Sequence, residues 1–369
     1  MGKILILANE AATIYNFRLE LLARLIMENF EVIISVPFSD KNAEFIKMGC
    51  RVDQIKVSKT GTNPFIELAL IRSYLKQIER LNPDLVLTYT AKPNIYGSLA
   101  CQKLKVPYIN NVTGLGSMLQ DEHLIKRLML VLQKKAYQKS RCVFFQNAAN
   151  LRYFKDQKIV GENTALIPGS GVNLKKHQLE PYPKEQHTVR FVLLTRVRRD
   201  KGFDELFAAV KAVSAKTDRA EFHLAGWYED VSYKEKIAEM SKNYPLIYHG
   251  DLSHAQVHAL LANSHCLVHP SHHEGMSNVI LEAAATGRPC LASDIPGCQE
   301  AVDDGATGFL FEVRSSRSLT EALLKFIDLS HEKKVDMGLA GRKKMEQEFD
   351  RSIVVDAYME EILKLYIGS

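Results

Sequence analysis

The chain predicts two consecutive α/β domains built on parallel sheets, and three observations carry that expectation. Apolar runs of strand length alternate with helical patterns from the first residues onward. The alternation breaks in a polar stretch from Glu180 to Thr188, which holds Pro181 and Pro183, and then begins again. A length of 369 residues allows two domains that each bury a core. With 46% hydrophobic and 25% charged residues, the composition is that of a soluble globular enzyme and not of a disordered or fibrous chain. No apolar run approaches the roughly 18 to 20 residues of a membrane span. The opening MGKILILAN is too short in its apolar part for a signal peptide, and Ile6 stands where a myristoylation signal needs Ser or Thr. It reads as a first strand.

In the first domain, taken as residues 1–180, the expected strands are KILILA, FEVIISVP, RVDQIKV, DLVLTYT, VPYINNV, CVFFQN and TALIP. Helical patterns lie between them, among them Asn63 to Leu81 and Pro93 to Lys105. The second domain, residues 181–351, repeats the alternation with RFVLLTR, AEFHLAG, PLIYHG, HCLVHP, RPCLAS and GFLFEV. After about Ser316 the chain reads as helix to its end. The last helix, Ser352 to Tyr366 within a segment 352–369, is expected to pack back on the first domain. Two such domains place a ligand cleft at the carboxyl edges of their sheets.

The six cysteines are scattered without a C-x-x-C pair, so buried free thiols explain them better than disulfides or zinc. Charge is unevenly shared: residues 1–180 carry +10 and residues 181–369 carry −5, which together make the chain's +5. A basic first half suits an anionic partner: a membrane surface, a diphosphate-linked acceptor or nucleic acid. Residues 121–140, DEHLIKRLMLVLQKKAYQKS, are apolar around much of the helical girth and basic at both ends. Such a helix suits an anionic membrane interface, and equally a core helix whose long side chains reach solvent.

The stretch from Val268 to Gly287, VHPSHHEGMSNVILEAAATG, carries the most chemistry. A strand end runs into a turn, and a helix of about ten residues starts near Ser277 as N-cap and stops at Gly287 before Pro289. Glu274 lies in the turn and Glu282 in the helix. Eight helical positions would set them roughly 80° and 12 Å apart, so both carboxylates can border one cleft. Between them, the amides around Met276, Ser277 and Asn278 form a helix N-terminus that attracts anions such as phosphate. The same spacing also fits an ordinary buried βαβ unit.

The first strand-to-helix junction of the second domain reads LLTRVRRDKGFDEL. Arg196 at the strand end and Lys201 before the helix are suited to a diphosphate, though a solvated charged loop would look alike. AGWYED and YHGDLS put Gly226 and Gly250 at strand ends, where a backbone can approach a flat base closely. His265, His269, His272 and His273 invite a metal reading, but neighbours in one turn rarely converge on one ion. Asp303-Asp304 lacks D-x-D spacing. No metal and no cofactor are expected.

Taken together, TRVRRDKG, HLAGW, YHGDLS, HPSHHEGMSNVILEAAATG and CLASDIPGCQEAVDDGATGFLF resemble the donor domain of the large retaining glycosyltransferase family four. That family has the GT-B fold, two Rossmann-like α/β domains whose parallel sheets face a central cleft. The E-x7-E spacing of Glu274 and Glu282 is its signature, and motif order is kept across roughly residues 189–313. The resemblance implies a nucleotide-sugar donor with Arg196 and Lys201 on the diphosphate, Glu282 on the ribose and Glu274 near the transferred sugar. Backbone at Gly275, Met276, Ser277 and Asn278 would hold phosphate oxygens, with Gly226, His249 and Gly250 around the nucleoside.

In the first half, AATIYNFRLELL, LTYTAKPNIYGSLA and NNVTGLGS resemble bacterial enzymes that build capsule, O-antigen or N-glycan precursors on undecaprenyl diphosphate. This implies an acceptor face that includes Asn16, Arg18, Lys92, Asn94, Thr113 and Gly114. Two departures stand out. Asn9-Glu10-Ala11-Ala12 replaces a Gly-rich turn, and Thr113 stands where some relatives carry His or Glu near the reaction centre. The resemblance therefore implies a retaining, metal-independent transfer in which the leaving diphosphate takes the acceptor's proton. The donor would be a UDP-sugar carrying a hexose or N-acetylhexosamine, the acceptor a lipid-linked saccharide. The setting would be the cytoplasmic face of the plasma membrane, without nucleic acid. The other readings are a GT-B-like UDP-sugar 2-epimerase and a silent nucleotide-sugar-binding subunit.

Overall fold

The computed structural model describes residues 2–56, 64–114, 123–184 and 187–367. They form two compact units: residues 1–170 with 351–369, and residues 171–350. Strand β1 (Lys3–Leu7), β2 (Glu31–Ser35), β3 (Arg51–Val52), β4 (Leu85–Tyr89), β5 (Tyr108–Val112), β6 (Cys142–Phe145) and β7 (Thr164–Leu166) build the first sheet. Its order is β3-β2-β1-β4-β5-β6-β7, parallel throughout. Strands β8 (Val189–Leu194), β9 (Ala220–Ala225), β10 (Leu246–Tyr248), β11 (Cys266–His269), β12 (Cys290–Ser293) and β13 (Gly308–Phe311) build the second, ordered β10-β9-β8-β11-β12-β13 and also parallel. Every expected strand is present.

Both sheets share one plan. Two strands run outward from a first strand on one side, the rest on the other, so strand order reverses beside β1 and again beside β8. Open α/β sheets bind ligands at such reversal points, outside the carboxyl ends of the strands. Helices cover both faces, which is why the strands are almost continuously apolar. In β1, Ile4 and Ile6 join one core while Leu5 and Leu7 join the opposite one. In the second sheet, Phe191 and Phe222 stack at 5.3 Å on one face, with Val192 and Ala225 on the other.

Three sequence expectations shift. The expected helix from Pro93 to Lys105 opens with a π-helical turn, Pro93–Gly97, before the α-helix Ser98–Leu104. Buried Asn94 explains the wider turn: it accepts from Thr88 Oγ1 at 2.7 Å and donates to Asn111 O at 2.7 Å. RVDQIKV shrinks to a two-residue strand pairing only with β2. The unit boundary falls near residue 170, ahead of the expected 180, because the segment after it is bound into the second unit. Val172 donates to Phe349 O at 2.8 Å. Arg288, fully buried, donates to Glu180 O, Pro181 O, Leu261 O and Ala262 O and so fastens the polar stretch to the second core.

The final helix, Arg351–Ile367, packs on the first unit as expected, with Val354, Tyr358, Met359 and Ile362 in its core. All six cysteines are buried and unbridged, and burial raises the Cys50 thiol to about 11. No helix among the described residues is long and apolar enough to cross a membrane.

Replacing Arg288 with Ala would strand several buried carbonyls at once. The expected loss is on the order of 3 kcal/mol of unfolding free energy, read by urea denaturation.

Candidate active site

The second sheet's reversal point lies between β8 and β11, and the loops leaving these two strands meet there. Lys201 follows β8 and Glu274 follows β11. The Lys201 ammonium bonds Glu274 Oε1 at 2.6 Å and Ser271 Oγ at 3.2 Å. Both side chains are nearly buried, 12% and 15% exposed, so the pair is shielded from screening by water. The same carboxylate oxygen lies 3.0 Å from His269 Nε2, which is itself 3.1 Å from Ser277 Oγ. Burial alone would raise the Glu274 carboxyl. The bonds and charges of His269 and Lys201 outweigh it and hold the group at about 2.

The backbone makes this meeting possible. Gly202, at φ +74°, sits so close to the second loop that a Cβ there would stand 2.0 Å from Pro270 O. Only glycine fits both the left-handed conformation and the contact. Nearby, His272 N–H donates to Asp200 O at 2.8 Å and its ring reaches Glu205 at 3.1 Å.

The helix Asn278–Ala285 begins where the sequence indicates, and Gly287 ends it with φ +81°. Its start differs in one respect. Ser277 occupies the N-cap position, but its hydroxyl turns to His269 and caps nothing, and its amide donates to Gly297 O at 3.2 Å. The amide expected at Ser277 is thus already engaged, which leaves Met276 and Asn278 for an anion. Glu282 lies within 3.8 Å of His177 Nε2. Gly275 adjoins Glu274 in the turn.

Arg196 is not drawn in with Lys201: it extends to Glu229 Oε2 at 2.9 Å, half-exposed. Arg198 pairs with Asp200 and with Glu229, and these bonds raise its guanidinium further. Gly226 and Gly250 are bonded to each other, N–H to O, at 2.8 Å. A Cβ on Gly226 would strike Thr195 O at 1.8 Å, so this glycine is required by its own neighbour, whereas Gly250 faces open space. His249 is exposed at the end of β10.

The four clustered histidines diverge. His265 accepts from Arg190 N–H at 3.0 Å, and burial lowers it to about 4. His269 goes to Glu274, His272 to Glu205, and burial lowers His273. Asp303 pairs with Lys344, and Asp304 accepts from Leu310 N–H at 2.9 Å.

In the first unit, the residues expected on the acceptor face separate by burial. Arg18 and Asn94 are interior. Arg18 breaks two helices, Ala11–Phe17 and Leu19–Met27, and its guanidinium lies 4.9 Å from the Tyr89 ring centre and 5.9 Å from that of Tyr358. Asn16 gives its carbonyl to Arg351 at 3.3 Å. Lys92 is paired with Glu67 at 2.6 Å, both nearly buried. Thr113 is exposed and Gly114 half-buried beyond β5. Of the basic apolar segment 121–140, His123–Tyr137 is helix; residues 115–122 lie outside the described residues. Gln133, Ala136 and Tyr137 are buried and Val131 is exposed.

Sequence reasoning missed His269 and Ser271 as partners of the ion pair, because the histidines were weighed together as metal ligands. The usable signal was position: His269 is the last residue of β11, five before Glu274.

A lowered carboxyl stabilises the fold above its ordinary value near 4.5 and loses that contribution as pH falls towards 2. Wild type should therefore exceed Glu274→Gln in urea resistance at pH 6, with the gap narrowing below about 4.5 and closing near 2.

Residues 3–147 match the family described as glycosyl transferase 4-like, and residues 175–344 match glycosyl transferases group 1. Over 98% of its length the chain is 25% identical to 97% of the Campylobacter jejuni N,N'-diacetylbacillosaminyl-diphospho-undecaprenol alpha-1,3-N-acetylgalactosaminyltransferase. It is 24% identical to the Staphylococcus aureus capsular polysaccharide biosynthesis glycosyltransferase CapM, over 80% of each chain. Among solved structures, sucrose-phosphate synthase from Thermosynechococcus elongatus superposes with a TM-score of 0.80 at 18% identity, covering 100% of both chains. Anabaena HepE in complex with UDP-glucose superposes with a TM-score of 0.78 at 17% identity, covering 99% of this chain and 100% of that one. These likenesses show the GT-B fold. With its first half of the glycosyl transferase 4-like type and its second of the group 1 type, the chain belongs to the glycosyltransferases that join these two domains.

Proposed function

We propose that this glycosyltransferase moves a hexose or N-acetylhexosamine from a UDP-sugar to a polyprenyl-diphosphate-linked saccharide, with retention and without a metal. The observation that carries the reading is the buried Lys201–Glu274 pair at the reversal point, beside the start of the helix Asn278–Ala285. A cation and a helix N-terminus are what a nucleoside diphosphate needs. An ionised carboxylate beside them can accept bonds from sugar hydroxyls. Support for the substrates comes from relatives named for an undecaprenol-diphosphate acceptor and for capsular polysaccharide, and from the UDP-glucose complex of HepE.

In this mechanism Lys201, Arg196 and the amides of Met276 and Asn278 take the diphosphate, Glu282 the ribose, and Glu274 the transferred sugar, with Gly275 admitting close approach. The bond from the sugar's anomeric carbon to the diphosphate oxygen breaks, and the acceptor oxygen bonds that carbon on the same face. The acceptor's proton passes to the departing diphosphate. Negative charge grows on the leaving group, so preorganised cations and amides supply the main stabilisation. Exposed Thr113 offers no strong base, which agrees with proton transfer to the leaving group. A lipid-linked acceptor calls for peripheral work at the inner face of the plasma membrane, with the basic first unit, including 121–140, towards anionic lipid.

Replacing Lys201 with Ala should lower turnover by roughly 100-fold or more; near-normal turnover would remove Lys201 from the mechanism. Activity should survive a chelator, and proton NMR of the first-formed product should show the donor's anomeric configuration. Inversion would refute the same-face step.

A further inference from the structure

A second chain of polar groups runs through the same sheet and ends at its carboxyl edge, and neither the fold nor the transfer step accounts for it. Glu221 and His223 are two residues apart on β9 and so share a face, within a strand that is otherwise apolar. His223 is buried. Its Nε2 lies 3.0 Å from Glu221 Oε1, and its Nδ1 lies 2.8 Å from Nε2 of His249, the exposed residue just after β10. The two imidazoles are within 12° of parallel with centroids 5.0 Å apart. With a ring nitrogen of each only 2.8 Å from the other, that spacing fits rings joined edge to edge nearly in one plane. The His249 amide donates to Leu224 O at 2.8 Å, which fixes its backbone to the neighbouring strand.

The direction of the chain follows from its anionic end. A carboxylate only accepts, so His223 carries its proton on Nε2 and leaves Nδ1 bare. His249 must then donate from Nε2, which leaves its own Nδ1 as a lone-pair acceptor. Among the described residues none bonds that atom. The charged and titratable groups bearing on the chain are Glu221, Arg190, whose Nε lies 3.8 Å from Glu221, and the two imidazoles themselves. Burial lowers both histidines, so the neutral arrangement holds at neutral pH.

We propose that Glu221 and His223 are positioning residues that hold His249 as a hydrogen-bond acceptor for a nucleobase with an imide N–H, so that the donor seat prefers uridine over cytidine nucleotides. This rests on the donor-site reading above and adds the group that reads the base. Uracil presents N–H at ring position 3, where cytosine presents a bare nitrogen that would meet the Nδ1 lone pair.

Calorimetric titration of the whole chain with UDP and with CDP at pH 7.5 tests this, on wild type, Glu221→Leu and Glu221→Gln. Wild type should prefer UDP by about tenfold or more. Glu221→Leu lets His223 reverse its tautomer, so that His249 can also present an Nδ1–H to the bare nitrogen of cytosine. The preference should fall to within about twofold, through weaker UDP and stronger CDP binding by a variant that still melts cooperatively. Glu221→Gln, whose carbonyl oxygen still accepts from His223, should restore it. A preference that survives Glu221→Leu overturns this inference and leaves the donor site standing; failure of wild type to bind either nucleotide overturns the donor site and this inference with it. Nitrogen-15 NMR of wild-type histidines gives an independent reading, and a His249 protonated on Nδ1 and bare on Nε2 would also overturn the proposal.

Discussion

The second unit is organised around one requirement: a carboxylate and an ammonium that have left water must face each other. Lys201 and Glu274 meet this across the reversal point of the sheet. Removing one partner of such a pair is far more damaging than never having built it, because the survivor is left charged and dehydrated. Both loops are consequently pinned: Gly202 has no Cβ so that Pro270 can approach, the His272 amide ties to Asp200, and Ser277 gives up its capping role to hold His269. The helix that follows starts with its amides beside the pair as a result.

The first unit repeats the strand plan with different chemistry. At its reversal point the Asn9 amide donates to Thr90 Oγ1 at 3.2 Å, and Thr90 holds φ +72°, a conformation that β-branched residues seldom adopt. Behind it lies a neutral network of Thr88, Asn94, Ser98, Asn110 and Asn111 that ends on Tyr358 of the last helix. Each unit thus carries a nearly buried ion pair on a segment leaving the sheet, Lys92–Glu67 in the first and Lys201–Glu274 in the second, but only the first sets it beside a neutral amide and hydroxyl network. Strand order places ligands, and side chains decide which.

Much of this was legible in the sequence. Alternating apolar runs mark the thirteen strands seen among the described residues because parallel strands buried on both faces are mostly apolar, with few polar positions to blur them. The spacing of Glu274 and Glu282, and the Lys-Gly pair at 201–202, mark the two loops that meet at the second reversal point. The partners were not legible, because contacts between residues seventy positions apart, as between Lys201 and Ser271, have no local periodicity. The interior place of Arg18 and Asn94 was hidden for a related reason: in a sequence a polar residue looks the same whether it meets solvent, a ligand, or a buried tyrosine and carbonyl. Ser277 shows the opposite error, since its residue type and position predict a cap and only the tertiary neighbour His269 draws the hydroxyl away.

The burial of every cysteine has a practical side. The chain's six thiols are enclosed in the cores, where burial raises their pKa values, so a maleimide in solution meets no ready thiolate on the native protein. A cysteine introduced on the surface of each unit would be the site that takes a dye. This glycosyltransferase is therefore suited to single-molecule distance measurements between its units while the donor and acceptor come and go, with no background cysteines to remove first.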